Sequence, residues 1–327
     1  MTKYVGVDVH KKACYATVMD ERGEVIKEGK FENTREGFGE FFGCIDDAKV
    51  AMEAGYCWQP AYELLEHMGY EVKLAHPLKT RIIADAKIKT DASDSEALAH
   101  LLRADLLPTS HVPSREAREL RELVRLHTYL VRERTRFKNK IRAEMAKRAI
   151  RAGRGLFTKR ERAQVVEFGI EPVNECLAVI DSLDERIKKV SHELKRMAGE
   201  NNDAKLLMTI PGVGYFSALL ILAEIDDISR FSDAENLCSY AGLVPSTRQS
   251  GNTVYRGHIT KQGSRHLRWI LLECTWMHLY HADDTRLTRF FWRLARKKGR
   301  KIAAVAMARK LLRVIYAMLV TREEFRA

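Results

Sequence analysis

The sequence predicts an α/β domain at its N-terminus, followed by a helical stalk and a mainly α C-terminal domain. Three observations carry this. Short β-type apolar runs alternate with helical stretches only in the first third of the chain. Residues 114 to about 150 contain neither glycine nor proline and have a strongly helical composition. Beyond about residue 203, apolar residues recur with helical spacing and are broken by the turn "IPGVG". A length of 327 residues fits two or three domains, placed at 1–112, 113–202 and 203–327.

Residues 3–9 and 13–19 are β-type runs, and a third at about 25–31 follows the turn signal "DERGE", which gives a meander. Asn33, with Glu36 three residues on, can cap a helix reaching to about residue 45. "AKVAMEAG" then reads as a buried strand ending near Glu53. "QPAYELLEHMG" reads as a helix, "YEVKLAHP" as a strand and "DASDSEALAHLLRAD" as a helix. The order β-β-β-α-β-α-β-α is the layout of an RNase H-like domain.

In the long helix from 114, Leu120, Leu123, Leu130, Phe137 and Ile141 fall at roughly heptad spacing. A second helix, about 172–197, carries Val173, Ile180, Ile187 and Leu194 at intervals of seven, interleaved with Cys176, Leu183, Val190 and Met197. Such a double series is a coiled-coil seam, open to an antiparallel hairpin within the chain or to a dimerisation stalk. Pro211 to Gly214 has the letters of a helix-hairpin-helix turn, in which Gly212 and Gly214 let backbone N–H groups approach a phosphate. The same letters also suit a plain interhelical turn.

Charge points to a polyanionic partner. Lys and Arg number 56 against 44 Asp and Glu, a formal +12 with a pI near 9.4. The excess is local: residues 115–162 hold 17 basic and 6 acidic side chains, whereas residues 1–114 hold 14 and 19. Arg132, Arg136 and Lys140 lie in this basic block, and Lys11 follows the first strand. The six cysteines form no C-x-x-C pair, so neither a zinc site nor a disulfide framework is supported. They read as reduced residues of a cytoplasmic protein. No apolar signal core follows the start, and the apolar segment 302–320 is interrupted by Arg309, Lys310 and Arg313, so no signal peptide or membrane span is expected.

Four carboxylates suggest chemistry. Asp8 interrupts the apolar first strand in "VGVDVHKK", and Glu53 ends the fourth in "VAMEAG". A carboxylate in a central strand is costly to bury unless it is paired or bound to metal. In the RNase H layout those two strands are neighbours. Asp91 and Asp94, three apart at a helix start, share one face and would be brought toward them. Asp91 alone also reads as a helix N-cap. Four such acids repel, and Mg²⁺ or Mn²⁺ is the usual neutraliser, at a site suited to phosphoryl transfer.

The pieces "VGVDVHK", "MEA", "KTDASDSEALAHLL", "IPGVG", "SYAGLVPSTRQSG" and "ITKQGSRHLRWIL" together resemble the DEDD transposases of the insertion-sequence 110 family, related to Piv-type DNA invertases. The resemblance extends over nearly the whole chain. It implies a RuvC-like N-terminal domain whose metal-binding acids match Asp8, Glu53, Asp91 and Asp94, a coiled-coil link, and a C-terminal transposase domain. It also implies a serine that attacks DNA, at the position of Ser250, and a structured bridge RNA that pairs with donor and target DNA. The implied partners are DNA, that guide RNA and further copies of the chain, as a dimer or tetramer, on the bacterial nucleoid.

By its own letters Ser250 is equally a turn residue, with Ser246 its nearest competitor. A hydroxyl attacks phosphorus only if its proton is taken and the phosphate charge is offset. Arg248, Arg256, Lys261, Arg265 and Arg268 are candidates to hold the phosphate, Gly251 lets the backbone approach, and His258 or His266 can carry a proton. Two other nucleic-acid readings compete: a metal-dependent junction nuclease in which Ser250 is structural, and a binding protein with a relic site. A sugar-kinase or actin-like fold also begins with Asp on its first strand. The basic stalk and the lack of a later Gly-rich adenosine loop count against it.

Overall fold

The computed structural model describes residues 2–83, 90–151, 153, 155–251 and 253–326, leaving aside the side chains of Lys159 and Arg256. Contacts divide the chain into two compact units, Met1–Val112 and Pro113–Ala327.

The first unit is a five-stranded mixed sheet. Its strands are β1 (Lys3–Val9), β2 (Ala13–Met19), β3 (Val25–Glu32), β4 (Ala48–Glu53) and β5 (Glu71–Ala75). Their order is β3-β2-β1-β4-β5, with β1–β2 and β2–β3 antiparallel and β1–β4 and β4–β5 parallel. Helices α1 (Arg35–Phe42), α2 (Trp58–His67), α3 (Pro77–Ile83) and α4 (Asp91–Arg103) complete it.

The pleat sorts the residues of β1. Val5 and Val7 face the aromatic core of Phe38, Phe41 and Phe42, while Tyr4 belongs to the opposite core with Leu98 and Leu102 of α4. Gly6, between the two valines, therefore lies under α4. A Cβ there would sit 1.9 Å from the Ser95 carbonyl oxygen and 2.6 Å from the Ala99 nitrogen, so only glycine admits the helix this close. A buried 2.7 Å hydrogen bond between the hydroxyls of Thr17 and Ser95 fixes α4 along its axis.

Two caps differ from the sequence reading. Thr34, not Asn33, caps α1 by accepting from the Gly37 N–H; the Asn33 amide instead donates to the His10 carbonyl at 2.9 Å. At α4 the cap is Thr90, boxed with Ser93, which makes Asp91 the first helical residue and leaves its carboxylate free of capping. Thr can adopt the extended N-cap backbone and accept from the third residue as Asx residues do, so the neighbouring letters competed closely.

The second unit is mainly helical: α5 (Arg115–Ala146), α6 (Lys159–Glu167), α7 (Glu171–Glu200), α8 (Asn202–Met208), α9 (Tyr215–Ile225), α10 (Ala234–Tyr240), α11 (Arg265–His281), α12 (Arg286–Lys298) and α13 (Arg300–Thr321). Helices α5 and α7 pack antiparallel within the chain. Arg134 meets Asp184 at 2.7 Å and His127 meets Ser191 at 3.0 Å. Val173, Ile180, Ile187 and Leu194 are buried, whereas Leu183, Val190 and Met197 of the second series are half-buried. Val124 and Leu194 belong to the same core as α9, α11 and α13, so the base of the helical pair is continuous with the C-terminal helices. No described helix is long and apolar enough to cross a membrane. Cys14, Cys176, Cys238 and Cys274 are free and buried.

A two-stranded antiparallel hairpin, β6 (Pro245–Ser250) and β7 (Thr253–Ile259), interrupts the helices. Sequence reasoning found only a turn here, because the "PSTRQS" strand is polar and nearly all exposed, without the alternation that marks a strand with one buried face.

Glu224, nearly buried at the end of α9, ties this region together. It accepts from both Nε and Nη2 of Arg125 (3.1 and 2.7 Å) and from Ser264 Oγ (2.8 Å), the cap of α11. Removing one partner of a buried pair commonly costs about 3–5 kcal/mol, and the 46% exposure of Arg125 places this case lower. Arg125→Ala, which leaves the buried Glu224 carboxylate with Ser264 alone, is therefore expected to destabilise the second unit by about 2–3 kcal/mol, read by chemical denaturation, whereas Glu224→Gln leaves an Arg125 that can turn to water and has a smaller effect.

Candidate active site

Asp8 and Glu53 come together because of strand register. Val7 of β1 pairs with Met52 of the parallel strand β4, so Asp8 and Glu53, one residue further on, fall side by side at the carboxyl ends of adjacent strands. Both alternate with residues of the outer core and so face the side covered by α4. Because Gly6 and Ser95 seat α4 against the sheet, its first turn, with Asp91 and Asp94, lies over the same strand ends.

One residue at the centre was missed by sequence reasoning. His10 Nε2 lies 3.2 Å from Asp8 Oδ2 and 3.4 Å from Asp91 Oδ1, bridging the two acids. Asp8, His10 and Asp91 are the group of three possible metal ligands gathered within 4.8 Å among the described residues. The available signal was the i, i+2 spacing of Asp8 and His10, which puts both on one face where β1 runs out. His10 is placed by its own backbone, with its N–H bonded to Ala13 O and its carbonyl to Asn33.

The electrostatics of Asp8 register the crowding. Burial pushes its pKa up, His10 opposes this, and Asp91, Asp94 and Glu53 each raise it further. A half-buried carboxylate with three acidic neighbours and oxygen donors on three elements, β1, β4 and α4, suits a hard divalent cation, so the residues present fit such an ion.

Ser250 closes the hairpin tip, paired across the turn with Thr253, and Gly251 takes the positive φ the turn needs (+57°). Its hydroxyl has no hydrogen-bond partner among the described residues, and Arg248 and Ser246 are exposed on the same strand. Asn252 lies outside the described residues, as does the side chain of Arg256.

The other predicted contacts fare differently. Lys11, Lys261 and Arg265 are exposed. Arg268 is turned inward, its Nη1 donating to the carbonyls of Ala241 (2.9 Å), Gln262 (3.2 Å) and Gly263 (3.3 Å), and burial lowers its pKa. Arg132 lies over the Trp269 ring, Arg136 pairs with Glu133, and Lys140 pairs with Glu144. Gly212 (φ +89°) makes its close approach to protein: a Cβ would lie 2.4 Å from the His278 nitrogen of α11. His278 completes the clamp, with Nδ1 at 2.8 Å from the Pro211 carbonyl and Nε2 at 2.9 Å from Thr285 Oγ1. The Gly214 N–H donates to Ser217 Oγ at 2.9 Å. Burial, with Arg125 nearby, lowers the His266 pKa, and His258 lines a groove described below.

A mixed sheet with acids gathered at the ends of its parallel strands, joined to a basic helical unit, describes the class of enzymes that act on the phosphodiesters of nucleic acid. Two family profiles narrow this. Residues 5–147 match the DEDD transposases of the IS110 type and residues 204–291 match the profile described as "Transposase IS116/IS110/IS902 family". Together these cover well over half of the chain, which belongs to the IS110 family of insertion-sequence transposases.

Similar proteins agree along its length. The transposase for insertion sequence element IS1111A of Coxiella burnetii is 28% identical over 335 residues, spanning 99% of this chain and 91% of that protein. The transposase for IS1328 of Yersinia enterocolitica is 24% identical, spanning 96% of each. The pilin gene-inverting protein of Moraxella lacunata is 25% identical, spanning 97% of this chain and 95% of that one. The chain is thus a DNA transposition and recombination enzyme.

Proposed function

We propose that this transposase cuts and rejoins DNA through a divalent-metal centre on Asp8, Glu53, Asp91 and Asp94 and a covalent phosphoserine on Ser250. The observation that carries the reading is the convergence of Asp8, Asp91 and His10 within 4.8 Å, with Asp94 and Glu53 acting electrostatically on Asp8. The strand order of the sheet supports an RNase H-like, RuvC-like domain. Mg²⁺ or Mn²⁺ bound there supplies charge stabilisation at the phosphate oxygens. The four carboxylates would hold the ion, and His10, within hydrogen-bond distance of both, sets the separation of Asp8 and Asp91.

At Ser250 the Oγ–P bond forms as the P–O bond to the leaving strand breaks, and the proton released from the serine hydroxyl passes to the departing oxygen. Arg248, exposed on the same strand as Ser250, would offset the phosphate charge, with Lys261 and Arg265 beyond the base of the hairpin available to phosphates further along the strand. Because the phosphodiester energy is kept in the phosphoserine, attack by the hydroxyl of another strand rejoins DNA without ATP. The +11 block at 115–162 supports binding of a structured guide RNA along α5, and the enzyme acts as several copies in the bacterial cytoplasm.

The serine step is tested by incubating the protein with the DNA ends of its element, the RNA and Mg²⁺, then looking for a denaturation-resistant protein–DNA adduct. Wild type is expected to give the adduct and Ser250→Ala none. A second reading, metal-dependent cleavage with a structural serine, draws support from a Ser250 hydroxyl that meets no base among the described residues; it requires Ser250→Ala to cleave normally without any adduct in wild type.

A further inference from the structure

The hairpin and helices α12 and α13 enclose a groove of about 1080 Å³ that none of the residues discussed so far explains. Its floor is apolar, formed by Leu243, Ile259, Ile302, Val305 and Ala306. Ile302, 55% exposed, presents its apolar side chain to the groove beside Val305 and Ala306. The rim is cationic: Lys261, Arg293, Lys298, Lys301 and Lys310 line it, and none of these makes an ion pair among the described residues. No lining residue is acidic. Over the floor, Lys310 Nζ lies 4.6 Å and the Arg293 guanidinium 5.8 Å from the Phe290 ring centroid.

We infer that this groove takes an unpaired stretch of the recombining DNA strand, its bases on the apolar floor and its phosphates along the cationic rim. Two features select this occupant. A duplex hides its base faces and would use the rim alone, leaving the floor wet, whereas a single strand offers apolar faces and phosphates together. The absence of any acidic lining residue is the second, since nothing in the groove repels phosphate. Position supports it as well. Pro245 and Ile259, paired at the base of the hairpin, line the groove, and Ser250 lies five residues further along β6, about 16 Å at the usual strand rise. A strand attacked at the tip can therefore continue into the groove. The inference rests on the recombinase reading, because strand exchange is what supplies unpaired DNA there.

Binding is separable from catalysis, so the test is run on the full chain in EDTA. Fluorescence anisotropy is measured with a labelled thymidine-rich single-stranded DNA, the matching duplex, the uridine RNA equivalent and poly-glutamate as competitor. Wild type is expected to prefer the single-stranded DNA. Ile302→Ser, an uncharged change at an exposed position the fold tolerates, is expected to weaken that strand about tenfold and the duplex little. Lys301→Gln is expected to weaken both and to flatten the salt dependence. A 4-thiothymidine strand should photocrosslink to peptides of α12 or α13. The inference is overturned if Ile302→Ser weakens duplex and single strand alike or neither, if RNA is preferred, if poly-glutamate competes as well as DNA, or if crosslinks fall elsewhere. Loss of the Ser250 adduct with groove binding intact would instead count against the serine chemistry.

Discussion

Asp8→Ala is expected to lower strand cleavage by at least about a thousandfold, roughly 4 kcal/mol of transition-state stabilisation. Asp8 is more shielded than Asp91, 14% exposed against 49%, and the other three acids all act on it. It therefore sits where a cation is best shielded from water. The same crowding predicts an opposite effect on stability. Asp8→Asn removes one charge from a group of four that repel, so the metal-free protein should gain about 1 kcal/mol while losing activity. Cleavage within tenfold of wild type, or a variant that is both inactive and unfolded, would argue that Asp8 serves the fold and not the chemistry.

Gly6→Ala is expected to destabilise the first unit by about 3 kcal/mol or more, at the upper end of overpacking costs. The clash is with helix backbone, at 1.9 and 2.6 Å, and neither Ser95 O nor Ala99 N can swing aside as a side chain would. The helix must move away from the sheet, which breaks the Thr17–Ser95 hydrogen bond and carries Asp91 and Asp94 off Asp8. Chemical denaturation should show the loss directly, and metal affinity should fall although no ligand has changed. A variant as stable as wild type would mean that α4 is not seated through Gly6.

How far the letters reached is clear from particular residues. Val5, Val7, Val50 and Met52 announced buried strands by alternation, and the partnering of β1 with β4 followed from the element order, so Asp8 and Glu53 could be paired before any coordinates. The i, i+3 spacing placed Asp91 and Asp94 on one helix face. His10 was not legible as a bridge, because its partner Asp91 is 81 residues away and only the docking of α4 joins them. Gly6 gave no local signal either, since its constraint is a helix passing overhead. Basic residues were read as contacts by charge alone, yet Arg268 caps backbone carbonyls and Lys140 holds Glu144; which cations remain free depends on tertiary neighbours. The letters of the 211–214 turn likewise left two readings, and Gly212 makes its close contact with α11. The groove between hairpin and α13 brings together residues about 40–70 positions apart, and no pattern in one segment encodes it.

The account stands on the carboxylate cluster, and Mn²⁺ binding tests it most directly. Titration followed by electron paramagnetic resonance should show saturable binding to the wild-type chain, competed by Mg²⁺. Asp8→Asn and Asp91→Asn should each abolish the bound signal while the protein stays folded. Saturable binding that both variants retain unchanged, or a folded wild-type chain that binds no Mn²⁺, would contradict it.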